Sequence, residues 1–110
     1  MDDRIYFDAI NEVVKTIPPG QVMSYGQVGE FAGCSARVVG WAMANVVDPD
    51  VPWQRVVGAD GYLRIGNRSV ALQEVQRKLL ERESVKFKDN GLVDMARHRV
   101  LYEDDSTLAL

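Results

Sequence analysis

The chain has 110 residues, one domain's worth, and can bury a single core. Hydrophobic residues make up 46% and charged residues 26%, a globular and not a disordered balance, and no apolar run approaches the ~20 residues a membrane helix needs. The net charge of −3 argues weakly against nucleic-acid binding, yet residues 34–70 carry Arg37, Arg55, Arg64 and Arg68 against Asp48, Asp50 and Asp60, so a small DNA surface with few phosphate contacts would have to be built there.

Asp3 to Ile17 reads as an amphipathic helix, with Ile5, Ala9, Ile10, Val13 and Ile17 at helical spacing and Pro18-Pro19-Gly20 as its stop. Its charged lead, Met1-Asp2-Asp3-Arg4, carries no secretory-signal pattern. Val22-Met23 is a short extended link. Ser24-Tyr25-Gly26-Gln27 has the form of a capping box and opens a short helix through Phe31, closed by Gly33. Ser35 is a second N-cap, and Ala36 to Asn45 continues as helix. Two short helices split by Gly33-Cys34 fit a helix-turn-helix and a generic helical hairpin equally well. Gly40 in mid-helix costs roughly 1 kcal/mol relative to alanine, which points to a close approach either to DNA or to another helix.

Asp48 to Pro52 is a loop. Trp53 to Val57 reads as a strand, Gly58 to Gly61 as a turn and Tyr62 to Ile65 as the returning strand of a hairpin. Gly66-Asn67-Arg68 is a loop, and Ser69 caps a helix from Val70 to Glu83 with Leu72, Val75 and Leu79 on one stripe. Asn90-Gly91 marks a turn. The expected organisation is one domain over residues 1–102, mainly α with a small β-hairpin wing, and an acidic, frayed tail over residues 103–110. Cys34 is the only cysteine and fits a reducing, cytoplasmic compartment; with His98 the only histidine and far away in sequence, neither a metal site nor a cofactor is expected.

Three segments, in order, carry a family resemblance. Pro19-Gly20-Gln21-Val22-Met23-Ser24-Tyr25-Gly26-Gln27-Val28, Ser35-Ala36-Arg37-Val38-Val39-Gly40-Trp41-Ala42-Met43 and Pro52-Trp53-Gln54-Arg55-Val56-Val57 resemble the DNA-binding domain of the O6-alkylguanine-DNA alkyltransferases, over about residues 3–85. Gly91-Leu92-Val93-Asp94 resembles a stretch near the end of the alkyltransferase-like proteins. An active alkyltransferase reads Pro-Cys-His-Arg-Val where this chain reads Pro52-Trp53-Gln54-Arg55-Val56, so the nucleophile and its activating histidine are both missing. Trp53 has no nucleophilic atom, Gln54 is no base near neutral pH, and Cys34 reads as a small structural residue in a tight turn. Tryptophan at the nucleophile position marks the alkyltransferase-like proteins, which recognise the lesion without repairing it.

The resemblance implies a winged helix-turn-helix domain that docks in the minor groove and flips a nucleotide. Arg37 alone reads as a solvated surface arginine; the resemblance makes it the side chain that fills the base stack. Tyr25, by itself a half-buried residue at a helix start, would crowd the phosphate 3′ to the target. Ser35, Ala36 and Gly40 would border the DNA as small residues. Core packing is the usual fate of a residue such as Trp53; the resemblance places it with Pro52 in a lesion pocket, where base–aromatic stacking contributes about 1–3 kcal/mol per base. Tyr62, Arg64 and Arg68 are expected on the pocket's far wall, near Gly66 and Asn67. Arg55 and Glu83 are expected to be structural, and Asn45 to brace the pocket. Trp41 reads as core, or as the edge of a patch.

The function so implied is binding of O6-alkylguanine in duplex DNA without alkyl transfer, by a cytoplasmic or nucleoid-associated monomer that hands the lesion to nucleotide excision repair proteins. Two other classes compete. An enzyme with an unexpected nucleophile would transfer label from methylated DNA to itself. A sequence-specific winged-helix regulator is permitted by the helix-turn-helix, but few base-reading side chains beyond Arg37 support it.

Overall fold

A computed structural model describes residues 2–101, so the expected tail at 103–110 lies outside the described residues. The chain begins as a 3₁₀ turn, Asp3–Tyr6, and continues as α1, Phe7–Lys15. The change of pitch leaves Ile5 exposed, and the buried stripe is Ile10, Val14 and Ile17. β1 is Met23–Ser24 and α2 is Tyr25–Ala32. Ser24 ends the strand and caps the helix: its hydroxyl accepts from the Gln27 N–H, and the Gln27 side chain accepts from the Ser24 N–H. α3, Ala36–Ala44, is capped by the Ser35 hydroxyl. A Cβ on Gly29 would lie 2.5 Å from the Cys34 carbonyl oxygen, so only glycine lets α2 meet the turn into α3. α2 and α3 pack on each other and on α1 as a helix-turn-helix.

The expected hairpin is not formed. Trp53–Arg55 is a 3₁₀ turn, and β2, Val56–Val57, pairs in parallel with β1, Met23 opposite Val56 and Ser24 opposite Val57. The turn at Gly58–Gly61 exists, closed by the Gly58 N–H donating to the Tyr62 carbonyl at 2.9 Å. The returning chain finds other partners, however. The Gly61 carbonyl accepts from the Val93 N–H and the Leu63 carbonyl from the Gln73 amide, after which Arg64–Asn67 coils into another 3₁₀ turn. An antiparallel bridge forms farther on, where Phe87 and Val93 close around Asn90-Gly91.

α4, Val70–Arg82, is capped by Ser69. Its inner face differs from the expected stripe: Leu72 and Val75 are exposed, while Gln76 and Leu80 are buried. Sequence hydrophobicity misassigns the face because Gln73 and Gln76 point inward to serve carbonyls of the neighbouring turns. α5 is Met95–His98.

The short β1–β2 pair divides the core. Met23 and Val56 face the α1–α3 cluster, with Ile10, Val28 and Val39; Val22 and Val57 face a second cluster with Leu63, Leu80 and Val93. Segments beyond α4 stitch onto β1. The Val22 N–H donates to the His98 carbonyl, the Val100 N–H donates to the Val22 carbonyl, and the Gln27 amide reaches the Val100 carbonyl at 3.0 Å. His98 itself is buried, with Nε2 accepting from the Lys86 N–H and Nδ1 left to donate to the Gly20 carbonyl, both at 2.9 Å.

Candidate nucleic-acid interface

α3 turns Val38, Val39 and Ala42 into the core. Its opposite side therefore carries Arg37, Gly40, Trp41 and Ala44, which form one wall of a cleft of about 520 Å³. Tyr25, at the start of α2, and Arg64, Ile65, Asn67 and Arg68, from the 3₁₀ turn and its end, complete it with Ala36. Arg37, Arg64 and Arg68 supply positive charge, and among the described residues no acidic side chain lines the cleft. In a chain with a net charge of −3 this concentrates cations in one concave place.

The Arg64 guanidinium lies over the Tyr25 ring, 5.7 Å from its centroid. Burial pushes the Tyr25 hydroxyl above its ordinary pKa, with the Arg64 charge acting in the opposite direction, so the group stays a protonated donor at neutral pH. Arg37 is 77% exposed and pairs with Asp3 at 3.3 Å. Ser35 supports the start of α3 as its cap. A Cβ on Gly40 would meet only the ring of Tyr25, the first residue of α2, at 4.0 Å, so no helix backbone approaches closely there. Its missing side chain is thus space given to the cleft. Trp41 lies at the patch edge instead of in the core: it is 40% exposed and meets Phe7 edge-on, ring centroids 5.6 Å apart. Only half of α3 faces inward, and Trp41 falls on the other half.

The remaining expected pocket residues do not join this cleft. Pro52 and Trp53 line a second cavity of about 530 Å³ with Lys15, Val46, Val51 and Leu79. Trp53 is half-buried there on its 3₁₀ turn, not at a strand start. Tyr62 lines a third hollow with Gln73, Arg77 and Leu92, and its hydroxyl contacts Asn67 Oδ1 at 3.3 Å. Asn45 ends α3, its side chain donating to the Trp41 carbonyl at 2.8 Å and lining no part of the cleft.

The Trp53 turn is held from below. Arg55 donates to both oxygens of Glu83, at 3.0 and 2.8 Å, and to the Ile17 carbonyl at 2.8 Å. Gln54 donates its amide to the same carboxylate at 3.0 Å. Burial by itself pushes the Glu83 carboxyl upward. The hydrogen bonds from Arg55 and Gln54, the Arg55 charge and the Gly20 backbone N–H together hold it below the usual carboxylate range. Gln76 donates to the Gln54 and Val56 carbonyls, both at 3.1 Å. Sequence reading missed Gln76; the signal was present as Gln73, Gln76 and Leu80 at helical spacing.

Among the described residues, the one free thiol is not activated as a nucleophile. Burial, with the Asp3 charge added, pushes the Cys34 thiol above its ordinary pKa, the opposite of what a reactive thiolate needs. Gln54 is committed to Glu83 as a donor. Among the described residues no group of three or more His, Cys, Asp or Glu side chains is placed to hold a metal, and no helix is long and apolar enough to cross a membrane.

Known proteins are similar to this chain in sequence and fold. A DNA base-flipping protein of Escherichia coli (strain K12) is 32% identical over 94 residues, covering 83% of this chain and 70% of that protein. Alkyltransferase-like protein 1 of Schizosaccharomyces pombe is 32% identical over 91 residues, covering 79% and 82%. Among solved structures, the S. pombe alkyltransferase-like protein in complex with damaged DNA containing O6-carboxymethylguanine superposes with a TM-score of 0.78 at 26% identity, over 93% of this chain and all of that one. The Mycobacterium tuberculosis alkyltransferase in complex with DNA gives 0.60 at 31% identity, over 71% of this chain and 48% of that one. Residues 6–85 match the family described as the 6-O-methylguanine DNA methyltransferase DNA-binding domain, and the chain belongs to that family.

Proposed function

We propose that this chain reads O6-alkylguanine in duplex DNA by docking the α3 cleft in the minor groove and extruding the damaged nucleotide, without taking the alkyl group. The observation that carries the reading is the cleft itself: three arginines and a tyrosine ring on a concave wall free of acidic side chains, in an acidic protein. Arg37, at the first turn of α3 and reaching into solvent, is the side chain proposed to replace the flipped base in the stack. Tyr25, with Arg64 above it, is proposed to press on the adjoining phosphate. Ser35, Ala36 and Gly40 keep the start of α3 low enough to approach the groove, and Arg68 adds a phosphate partner. Pro52 and Trp53 are proposed as an apolar wall for the alkyl substituent, reached past the end of α3, where Ala44 lines the cleft and Val46 the second cavity. Tyr62 reaches the edge of the α3 cleft through its hydroxyl on Asn67, while Asn45 at the end of α3 and the Arg55–Glu83 pair under the Trp53 turn hold the frame.

The chemistry of the Trp53-Gln54 pair supports a reader over an enzyme, because neither side chain can attack or activate. A reader leaves the damage in place, so a second protein must remove it. The reading therefore includes transfer of the marked site to nucleotide excision repair proteins, and a monomer, since one cleft fits one lesion.

Fluorescence anisotropy with an O6-methylguanine duplex and the matched guanine duplex tests the proposal. The lesion duplex is expected to bind more tightly, and Arg37→Ala and Tyr25→Ala to erase most of the difference. Equal affinity for the two duplexes would defeat the reading. Incubation with radiolabelled methylated DNA should leave all label on the DNA; label on the protein would make it an enzyme.

A further inference from the structure

The N-terminal segment from Asp3 to Phe7 meets α3 along one edge, through two contacts of matched spacing. Arg37 and Trp41 stand one turn apart on α3, and both line the cleft. Asp3 and Phe7 stand one turn apart on the opposing segment. Asp3 Oδ2 lies 3.3 Å from Arg37 Nη2, and the Phe7 ring meets Trp41 at an interplanar angle of 89°. The pairing of Asp3 is selective. Asp2, its neighbour, is taken by Arg4 at 2.6 Å. The Asp3 side chain is two-thirds buried and lies near Cys34, in the turn before α3.

We infer that Asp3 is a positioning residue for Arg37, forming with the Phe7–Trp41 contact a latch that holds the arginine at the cleft rim in the free protein and must open when DNA is engaged. The inference rests on the reading of Arg37 as the side chain that enters the duplex. Asp3 and the DNA compete for one guanidinium. The guanidinium cannot remain on Asp3 and also stack among bases. Once it leaves, an unpaired carboxylate faces the negative backbone of the DNA. The ring contact keeps the N-terminal segment in place while the ion pair breaks, since Phe7 is anchored against the α1–α3 core cluster. Asp3 thereby sets a threshold: weakly bound, undamaged duplex does not displace it, whereas a nucleotide that extrudes readily does.

The test is a double-mutant cycle on lesion and undamaged duplexes, at low and at moderate salt. Asp3→Asn is expected to tighten lesion binding by roughly two- to five-fold, the range of an exposed ion pair, with the gain shrinking as salt rises. Asp3→Glu should restore wild-type affinity. In an Arg37→Ala background, Asp3→Asn should tighten binding clearly less, because only the repulsion of phosphate remains to be relieved. Equal tightening in both backgrounds would assign Asp3 to simple repulsion of phosphate and overturn the latch, as would weaker or unchanged binding of Asp3→Asn in the Arg37 background. The free protein gives a readout that needs no DNA: the Arg37 Nε–Hε NMR signal should report an ordered side chain in the wild type and a mobile one in Asp3→Asn, and unchanged mobility would also overturn it. Should Arg37→Ala bind both duplexes as the wild type does, the proposed role of Arg37 itself fails, whatever Asp3 does.

Discussion

Replacing Gly40 by alanine separates what α3 needs to be a helix from what it presents to a ligand. Glycine in mid-helix costs ~0.8–1.0 kcal/mol relative to alanine, because the backbone loses more freedom on folding. The space around the position is open: an added Cβ would touch only Cδ1 and Cε1 of Tyr25, at 4.0 Å, an ordinary van der Waals distance. Nothing need shift, so Gly40→Ala should stabilise the free protein by about 1 kcal/mol, or ~4–8 °C in Tm for a domain of this size. The same methyl group projects into the cleft. If the backbone of α3 approaches the groove there, overpacking costs roughly 1–3 kcal/mol of binding, five-fold or more in Kd. Thermal unfolding and duplex anisotropy, run on one preparation, read both terms. A lowered Tm would refute the local packing argument. A raised Tm with unchanged affinity for the lesion duplex would refute close approach at Gly40.

Three further outcomes follow from the packing. Leu80→Ala should cost about 2–5 kcal/mol in urea unfolding, and Leu72→Ala within ~0.5 kcal/mol, because the inner face of α4 is not the stripe of apolar residues in the sequence; comparable losses would reverse that assignment. Gln76→Leu, although more apolar, should destabilise by about 1–3 kcal/mol by stripping a donor from the Gln54 and Val56 carbonyls; a neutral result means Gln76 does not pin the Trp53 turn. Glu83 is held below its ordinary pKa, so its contribution is fully present above the unfolded value of about 4.3 and is lost as pH falls through the lower, folded one. Wild type should therefore lose more urea resistance than Glu83→Gln between pH 7 and pH 3, and parallel losses would contradict the sign.

Local features were legible in the sequence, and features that depend on distant partners were not. The Ser24, Ser35 and Ser69 caps and the closure of α2 at Gly33 involve residues within four positions of each other, and each helix begins or ends where those signals lie. Val56-Val57 does form a strand, but its partner lies more than thirty residues earlier, at Met23–Ser24, so the adjacent Tyr62–Ile65 segment made a tempting wrong choice. On α4 the half-buried amide of Gln73 and the buried amide of Gln76 invert the usual sorting of polar and apolar residues. For the site, the family resemblance singles out Tyr25, Arg37, Gly40, Arg64 and Arg68, and the fold gathers these five around one cleft. It could not tell that Trp53 and Tyr62 open into separate hollows, since that depends on where the 3₁₀ turns at Trp53–Arg55 and Arg64–Asn67 pack against α4. For Trp41 the sequence leaves core and patch edge both open, and its place on the outward half of α3 decides for the edge.

The stitching of His98 to Val100 onto Val22 has a consequence for anyone trimming the chain. The family match stops at residue 85, which invites a shorter version ending there. Such a cut would remove both backbone bonds that cover the Val22 side of β1 and the ring that clasps Gly20 to Lys86. It would leave a raw sheet margin beside a fissured core, a surface prone to recruit the same margin on a neighbouring molecule. The smallest portion worth excising reaches Val100, some fifteen residues past the point where kinship can be recognised.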